Sequence, residues 1–240
     1  MKNTFLTLII PAYNEKKIIE STLKKVVNFL TKKTYSWEVI VVDDGSTDGM
    51  SAIVKKWGAK NVSLIRYEEN RGKGGALKEG VRRAVGKYVI FSDADLSVPI
   101  ETVDVLINEM KRGSQVAVGT RRAEGSEIVV HQPLFREYLG RVYTFLTRVV
   151  TNTKVSDFTC GFKGFTNDAA KKVFSKSLLN RWAYDSEILF LAKKYGYGIK
   201  EVPVEWTDRG DSRVRVGNAV VTSLIDLLKI RVFEGFRKYD

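Results

Sequence analysis

The first half of the chain alternates short apolar, β-branched runs with amphipathic stretches, and this alternation leaves few folds open. Residues 5–10, 38–42, 62–67, 87–91 and 115–118 read as strands. Ile18, Ile19, Thr22, Leu23, Val26, Val27 and Leu30 recur at helical spacing, and further helices are expected near 51–57, 75–85 and 99–112. Strands separated by helices imply an α/β fold whose mostly parallel central sheet carries helices on both faces. At 240 residues and 44% hydrophobic content the chain can build one substantial core, and one α/β domain of this length is ordinary.

Each expected strand ends in a polar cluster. Tyr13-Asn14-Glu15 follows the first, Asp43-Asp44-Gly45-Ser46 the second, and Asn70-Arg71-Gly72-Lys73-Gly74-Gly75 the third. Asp93-Ala94-Asp95 follows the fourth and Gly119-Thr120-Arg121-Arg122 the fifth. Ligands of open α/β sheets bind outside the carboxyl ends of the strands, so all five clusters are expected on one functional edge. Asp93 and Asp95 offer the hard oxygen ligands that Mg²⁺ or Mn²⁺ prefers, and Mg²⁺ takes only one or two protein carboxylates beside water and phosphate oxygens. That points to an enzyme handling phosphate esters. The bland alternative is a capping turn, with Ser97 and Pro99 opening a helix. The glycine-rich loop 70–75 has neither the Walker A spacing nor G-x-G-x-x-G, but its glycines would let backbone amides approach phosphate.

The formal net charge is +12. Such a balance suits phosphorylated substrates, an anionic membrane face or nucleic acid. No nucleic-acid-binding signature accompanies it, so phosphate and membrane rank first and no nucleic-acid partner is expected. Cys160 is the only cysteine and His131 the only histidine, which excludes an intrachain disulfide, a cysteine-rich metal site and a histidine-based triad. No stretch reaches the roughly 18 apolar residues of a membrane span, and no signal peptide is expected.

The second half is less regular. Helices are expected over 134–150 and 185–195, an irregular or extended segment over 157–165, and one alternating strand over 199–206. A long amphipathic helix is expected over 218–239, with Val221, Leu224, Ile225, Leu228, Val232 and Phe236 on one side; such a stripe is more often core than membrane-facing. The scattered Arg121, Arg122, Arg136, Lys163, Arg209 and Arg213 would make an anion site if several converged. The whole chain reads as one domain: a first half to residue 122, a second half over 123–216, and a C-terminal helix over 217–240.

The residues resemble a known family at this point. Residues 9–15 (Ile-Ile-Pro-Ala-Tyr-Asn-Glu), 41–46, 70–74 and 93–97 look like the ordered signatures of inverting family 2 glycosyltransferases. In the second half, Gln132-Pro133, Arg136, residues 157–163, Tyr184-Asp185-Ser186-Glu187 and residues 201–206 resemble the dolichyl-phosphate glucosyltransferases and related polyprenyl-phosphate mannosyltransferases. The resemblance implies a GT-A type nucleotide-sugar-binding fold and metal-dependent transfer of a hexose to dolichyl or polyprenyl phosphate. It implies that Pro11, Ala12, Tyr13, Glu15, Asp43, Asp44, Arg71, Lys73, Asp93 and Ala94 hold the nucleotide-sugar, with Asp95 and Asp93 on the metal. It places Arg121, Arg136, Lys163, Arg209 and Arg213 on the acceptor phosphate. Ser97 stands where mannosyl relatives often carry glutamine, which favours UDP-glucose over GDP-mannose as donor. The expected location is the cytoplasmic face of a membrane, held peripherally, with a homo-oligomer left open. The competing readings are a glycosyltransferase acting on a sugar or polypeptide hydroxyl, with Asp157 or Asp185 as catalytic base, and a basic nucleic-acid binder.

Overall fold

The computed structural model describes residues 4–58, 61–209 and 216–240, the side chains of 216–221 excepted. Strands β1 (Leu6–Ala12), β2 (Trp37–Asp44), β3 (Val62–Tyr67) and β4 (Tyr88–Phe91) pair in parallel. They are joined by α1 (Ile19–Leu30), α2 (Met50–Lys56) and α3 (Lys73–Arg83). Then follow α4 (Thr102–Lys111), β5 (Val116–Thr120), β6 (Glu127–Val130), α5 (Leu134–Thr151), β7 (Lys163–Thr166), α6 (Asn167–Lys176) and α7 (Tyr184–Lys194). The chain closes with β8 (Ile199–Pro203), β9 (Glu205–Thr207) and α8 (Val216–Gly235).

Seven strands form the main sheet in the order β3-β2-β1-β4-β7-β5-β8. All run the same way except β7, which is antiparallel to both β4 and β5. Every residue of β1 is buried, as a strand covered on both faces requires. Leu6, Leu8 and Ile10 meet Leu23 and Val26 of α1 and Leu106 of α4 in one core layer, whereas Ile9 joins Leu77 of α3, Val173 of α6 and Ile188 of α7 in the other. The expected parallel, two-layered sheet is therefore the observed one.

The segment expected to be irregular or extended does become extended, at its end, where β7 begins at Lys163. Three differences lie in the second half. The single strand expected over 199–206 breaks at Val204: β8 completes the main sheet, and β9 pairs in parallel with β6 in a separate two-stranded sheet. The apolar stripe of α8 faces the other way. Ile225, Leu228, Val232 and Phe236 are exposed, and Leu227 and Ile230 are buried against the core instead. Helix α6 and strand β6 had no counterpart in the sequence reading.

Candidate active site

The carboxyl ends of β1, β2 and β4 bring the polar clusters together. Ser92 beyond β4 donates its amide to the Ile9 carbonyl at 3.1 Å, so Asp93-Ala94-Asp95 emerges beside the end of β1. The Thr22 hydroxyl of α1 holds the buried Ala94 carbonyl. The Asp95 carboxylate accepts the Ser97 amide at 2.9 Å, which fixes the turn, and Leu96 between them sits in the left-handed region at φ 49°. A leucine there is strained and persists only where its surroundings hold it. Behind Asp93 lies Gly161, where a Cβ would fall on the carboxylate itself. Asp93 is thus pinned from one side and meets the ammonium of Lys73 on the other. Burial works against the charge of Lys73, yet Asp93, with Tyr184 and Asp185 nearby, holds it protonated well above the ordinary lysine range.

The Asp43-Asp44 pair, expected on the nucleoside, makes hydrogen bonds that shape the loops at this edge. Both carboxylates are buried. Asp43 accepts the Ser46 amide at 2.8 Å and the Ser51 hydroxyl, which shapes the turn after β2. Asp44 accepts the amides of Arg71 at 2.8 Å and Gly72 at 2.9 Å, and so ties the basic loop to the sheet edge. That loop is not a phosphate cradle made of free amides. The amides of Gly74 and Gly75 donate to the Asn180 carbonyl at 2.8 and 3.3 Å. Its glycines answer to packing: Gly72 has φ 89°, and a Cβ on Gly74 would come within 2.6 Å of Tyr184. The loop delivers side chains, with Lys73 on Asp93 and exposed Arg71 stacked 4.4 Å over the Tyr67 ring. Pro11 and Ala12 are buried at the end of β1, and Tyr13 projects with 39% exposure. Asn14 bonds the loop after β2 through Ser46 and Thr47, which sets Tyr13 and Glu15 above the edge.

The basic residues of the second half divide into two groups. Arg121 forms a bidentate pair with Asp157 at 2.6 and 2.9 Å, also bonds the Thr159 hydroxyl, and lies 5.1 Å from the Trp206 ring. Burial alone would raise the Asp157 carboxyl, but Arg121 outweighs it and holds the group far below the usual carboxylate range. Lys163 is fully buried, paired with Asp185 and bonded to the Cys160 carbonyl at 2.6 Å. The ammonium of Lys163, expected on the acceptor phosphate, is enclosed by protein in this structure. Asp157 and Asp185, expected as candidate bases for a hydroxyl acceptor, are each buried in an ion pair. Arg122 bonds the Thr144 hydroxyl at 2.6 Å and the Ser156 carbonyl at 2.9 Å, anchoring α5.

Half-buried Arg136 and exposed Arg209 make no side-chain hydrogen bond or ion pair among the described residues. The Thr207 amide donates to the Ser97 carbonyl at 2.9 Å, and the Asp208 amide to the Val130 carbonyl at 3.2 Å. These two bonds place Arg209, and the chain leading to Arg136, next to the Asp95 turn. Arg213 lies outside the described residues. His131 is an exposed loop residue.

No group of three or more His, Cys, Asp or Glu side chains gathers as a metal site among the described residues. The donor set instead fits an ion held partly by its substrate: two half-exposed carboxylates, one of them neutralised by the lysine ammonium that stands in for a cation. Gly161, Asn180 and Tyr184 support this edge and were not expected to; only their place within or beside the motif-like runs 157–163 and 184–187 marked them.

The architecture is of the GT-A type. Mannosyl-3-phosphoglycerate synthase from Rubrobacter xylanophilus matches with a TM-score of 0.70 at 17% identity, covering 98% of this chain and 75% of that one. Glucosyl-3-phosphoglycerate synthase from Mycobacterium tuberculosis, in complex with Mn²⁺, uridine-diphosphate and glucosyl-3-phosphoglycerate, matches with a TM-score of 0.65 at 21% identity, over 95% and 80%. Residues 7–174 match the model of Glycosyl transferase family 2, and the chain belongs to that family. It is an enzyme, a glycosyltransferase. The chain is 32% identical over 243 residues to the dolichyl-phosphate beta-glucosyltransferase of Dictyostelium discoideum, across 95% of this chain and 74% of that protein. It is also 32% identical over 224 residues to the Homo sapiens enzyme of the same name, across 87% and 69%.

Proposed function

We propose that the enzyme transfers glucose from UDP-glucose to dolichyl or polyprenyl phosphate at a membrane surface, with inversion at the anomeric carbon. The observation that carries this reading is the similarity, over nearly the whole chain, to dolichyl-phosphate beta-glucosyltransferases.

The geometry supports a division of labour. Tyr13, with Pro11, Ala12 and Glu15 beside it, would receive the base and ribose at the end of β1. Asp95, with Asp93, would hold a divalent ion, Mg²⁺ or Mn²⁺, which when bound supplies positive charge to the departing diphosphate. Lys73 would leave Asp93 for the diphosphate oxygens. Arg136 and Arg209, both without protein partners among the described residues, would hold and aim the acceptor phosphate, with Arg121 fixed behind them by Asp157. A phosphate acceptor is already an anion, so positioning and charge compensation replace a general base. That agrees with the enclosure of Asp157 and Asp185. A hydroxyl acceptor would need a base that these two cannot provide.

No described helix is long and apolar enough to cross a membrane. The support for a peripheral contact is α5, where Leu134, Phe135, Tyr138, Val142, Phe145 and Val149 are all exposed. At 100° per residue they fall within an arc of about 100°, opposite the buried Thr144, Thr147 and Thr151. Arg141 and Arg148 flank the stripe, as suits an anionic bilayer surface.

A labelled-donor screen, UDP-glucose against GDP-mannose with polyprenyl phosphate and Mg²⁺ or Mn²⁺, tests the reading; glucose appearing only on an oligosaccharide overturns it. Asp95→Asn is expected to lower turnover by about 10²–10³ at an unchanged melting temperature, and near-normal turnover removes the residue from its role. Arg136→Ala and Arg209→Ala should raise the acceptor KM and leave nucleotide affinity intact. Equal loss of both would misplace the two arginines.

A further inference from the structure

Glu187, in the first turn of α7, is a carboxylate with no solvent exposure, and the proposed transfer chemistry does not use it. It touches no cation. Its partners are the amides of Leu178 at 2.8 Å and Leu179 at 2.9 Å and the hydroxyl of Tyr239 at 2.7 Å. A buried carboxylate whose hydrogen-bond donors are all neutral is an expensive arrangement; burial pushes its carboxyl upward against those three bonds and the more distant charge of Lys78. Apolar side chains could fill the same space, so what the carboxylate holds is of interest.

It holds both ends of a continuous line. On one side, Leu178 and Leu179 lead into Asn180. The Asn180 carbonyl accepts the Gly74 and Gly75 amides, its side chain accepts Lys78 at 2.7 Å, and its backbone lies so close to Gly72 that a Cβ there would come within 2.6 Å. These contacts set the start of α3, and with it the Lys73 that meets Asp93. On the other side, Tyr239 follows α8, is fully buried, and packs its ring against Phe190 and Phe233. The Tyr195 hydroxyl bonds its carbonyl at 2.6 Å.

We propose that Glu187 and Tyr239 are positioning residues for the donor loop: the pair clamps the 178–180 segment so that Asn180 presents the start of α3, and Lys73, to the nucleotide diphosphate. The proposal rests on the reading of the Lys73–Asp93 edge as the donor site. Neither residue touches the donor, and both act through Asn180.

The test uses the full chain with Tyr239→Phe, which keeps the buried ring, and Glu187→Gln, which keeps the shape. Hydrogen exchange of residues 72–77 is expected to quicken about three- to tenfold in both variants, the range set by losing one hydrogen bond, while β1 and β2 exchange as in the parent protein. Titration with UDP or GDP in the presence of Mn²⁺ should show Kd raised by a similar factor, with the polyprenyl phosphate KM unmoved. Unchanged exchange over 72–77 in both variants overturns the proposal. So does a rise spread evenly over α6 and α7, which would mean a general loss of stability. If the parent protein binds neither nucleotide, the donor-site reading falls and the claim on affinity falls with it, whereas intact binding with parent-like affinity in both variants sinks the positioning role alone.

Discussion

The two halves of the molecule treat apolar surface in opposite ways. In the first 122 residues, Tyr13, Val85 and Val105 are the exposed large hydrophobic side chains among the described residues, and the strands and helices bury the rest wholly or in part. Beyond them, among the described residues, α5 alone exposes six, and α8 with the residue that follows it another four. Buried charge does not follow that divide. Asp43 and Asp44 in the first half, and Asp157, Lys163 and Asp185 in the second, lie inside the protein, where they shape loops and hold one another. A half that closes on itself suits a water-borne donor. A half that leaves an apolar helix face exposed among the described residues suits the lipid-tailed acceptor proposed above.

This contrast can be broken experimentally. The largest effect is expected inside the second half. Asp157→Ala leaves Arg121 buried without its carboxylate and should lower stability by about 3–5 kcal/mol, read as a shift in the urea midpoint at pH 7. The folded carboxyl titrates below its unfolded value near 4, so its contribution is present above that value and is lost as pH falls through the folded one. The gap between variant and parent should therefore narrow toward pH 3, and a gap constant with pH would mean that the ion pair is not its source. Next comes the exposed face. Phe145→Glu should weaken sedimentation with phosphatidylcholine–phosphatidylserine vesicles by about 10- to 100-fold, from about 1.5–3 kcal/mol of lost apolar burial, with no change in melting temperature. Vesicle binding equal to the parent's would assign that face another purpose. The smallest effect is expected at the donor edge, where Gly161→Ala should push Asp93 aside and weaken nucleotide binding by about 1–2 kcal/mol, in the range of other overpacking substitutions. Calorimetric titration reads it, and parent-like affinity would show that Asp93 can shift freely.

How much could be read from the residues follows the same divide. Strands β1 to β5 and helices α1 to α4 were legible because their patterns are local: runs of valine and isoleucine, helical spacing, and a polar cluster after each strand. The DxD-like turn was legible for the same reason. What escaped depends on distant partners. The direction of β7 is decided by β4 and β5, not by Lys163–Thr166 themselves. Periodicity grouped Ile225, Leu228, Val232 and Phe236 correctly on one side of α8, but which side meets the core is settled by α5 and α7. A carboxylate such as Asp44 looks the same in sequence whether it faces a ligand or a pair of backbone amides. Lys163 read as a free cation because nothing near it in the chain announces Asp185.

The antiparallel β7 also orders the birth of the molecule. β1 to β4 can pair with one another as soon as they leave the ribosome, each beside a strand already made. β5 cannot join them then, for its neighbours in the finished sheet are β7 and β8, and both lie far downstream. At roughly 5–20 residues per second, the stretch from Thr120 to Lys163 takes a few seconds to appear, and during that interval β5 stays an unpaired, largely apolar edge. A nascent chain stalled between the two should expose that edge to a chaperone, and release should bury it.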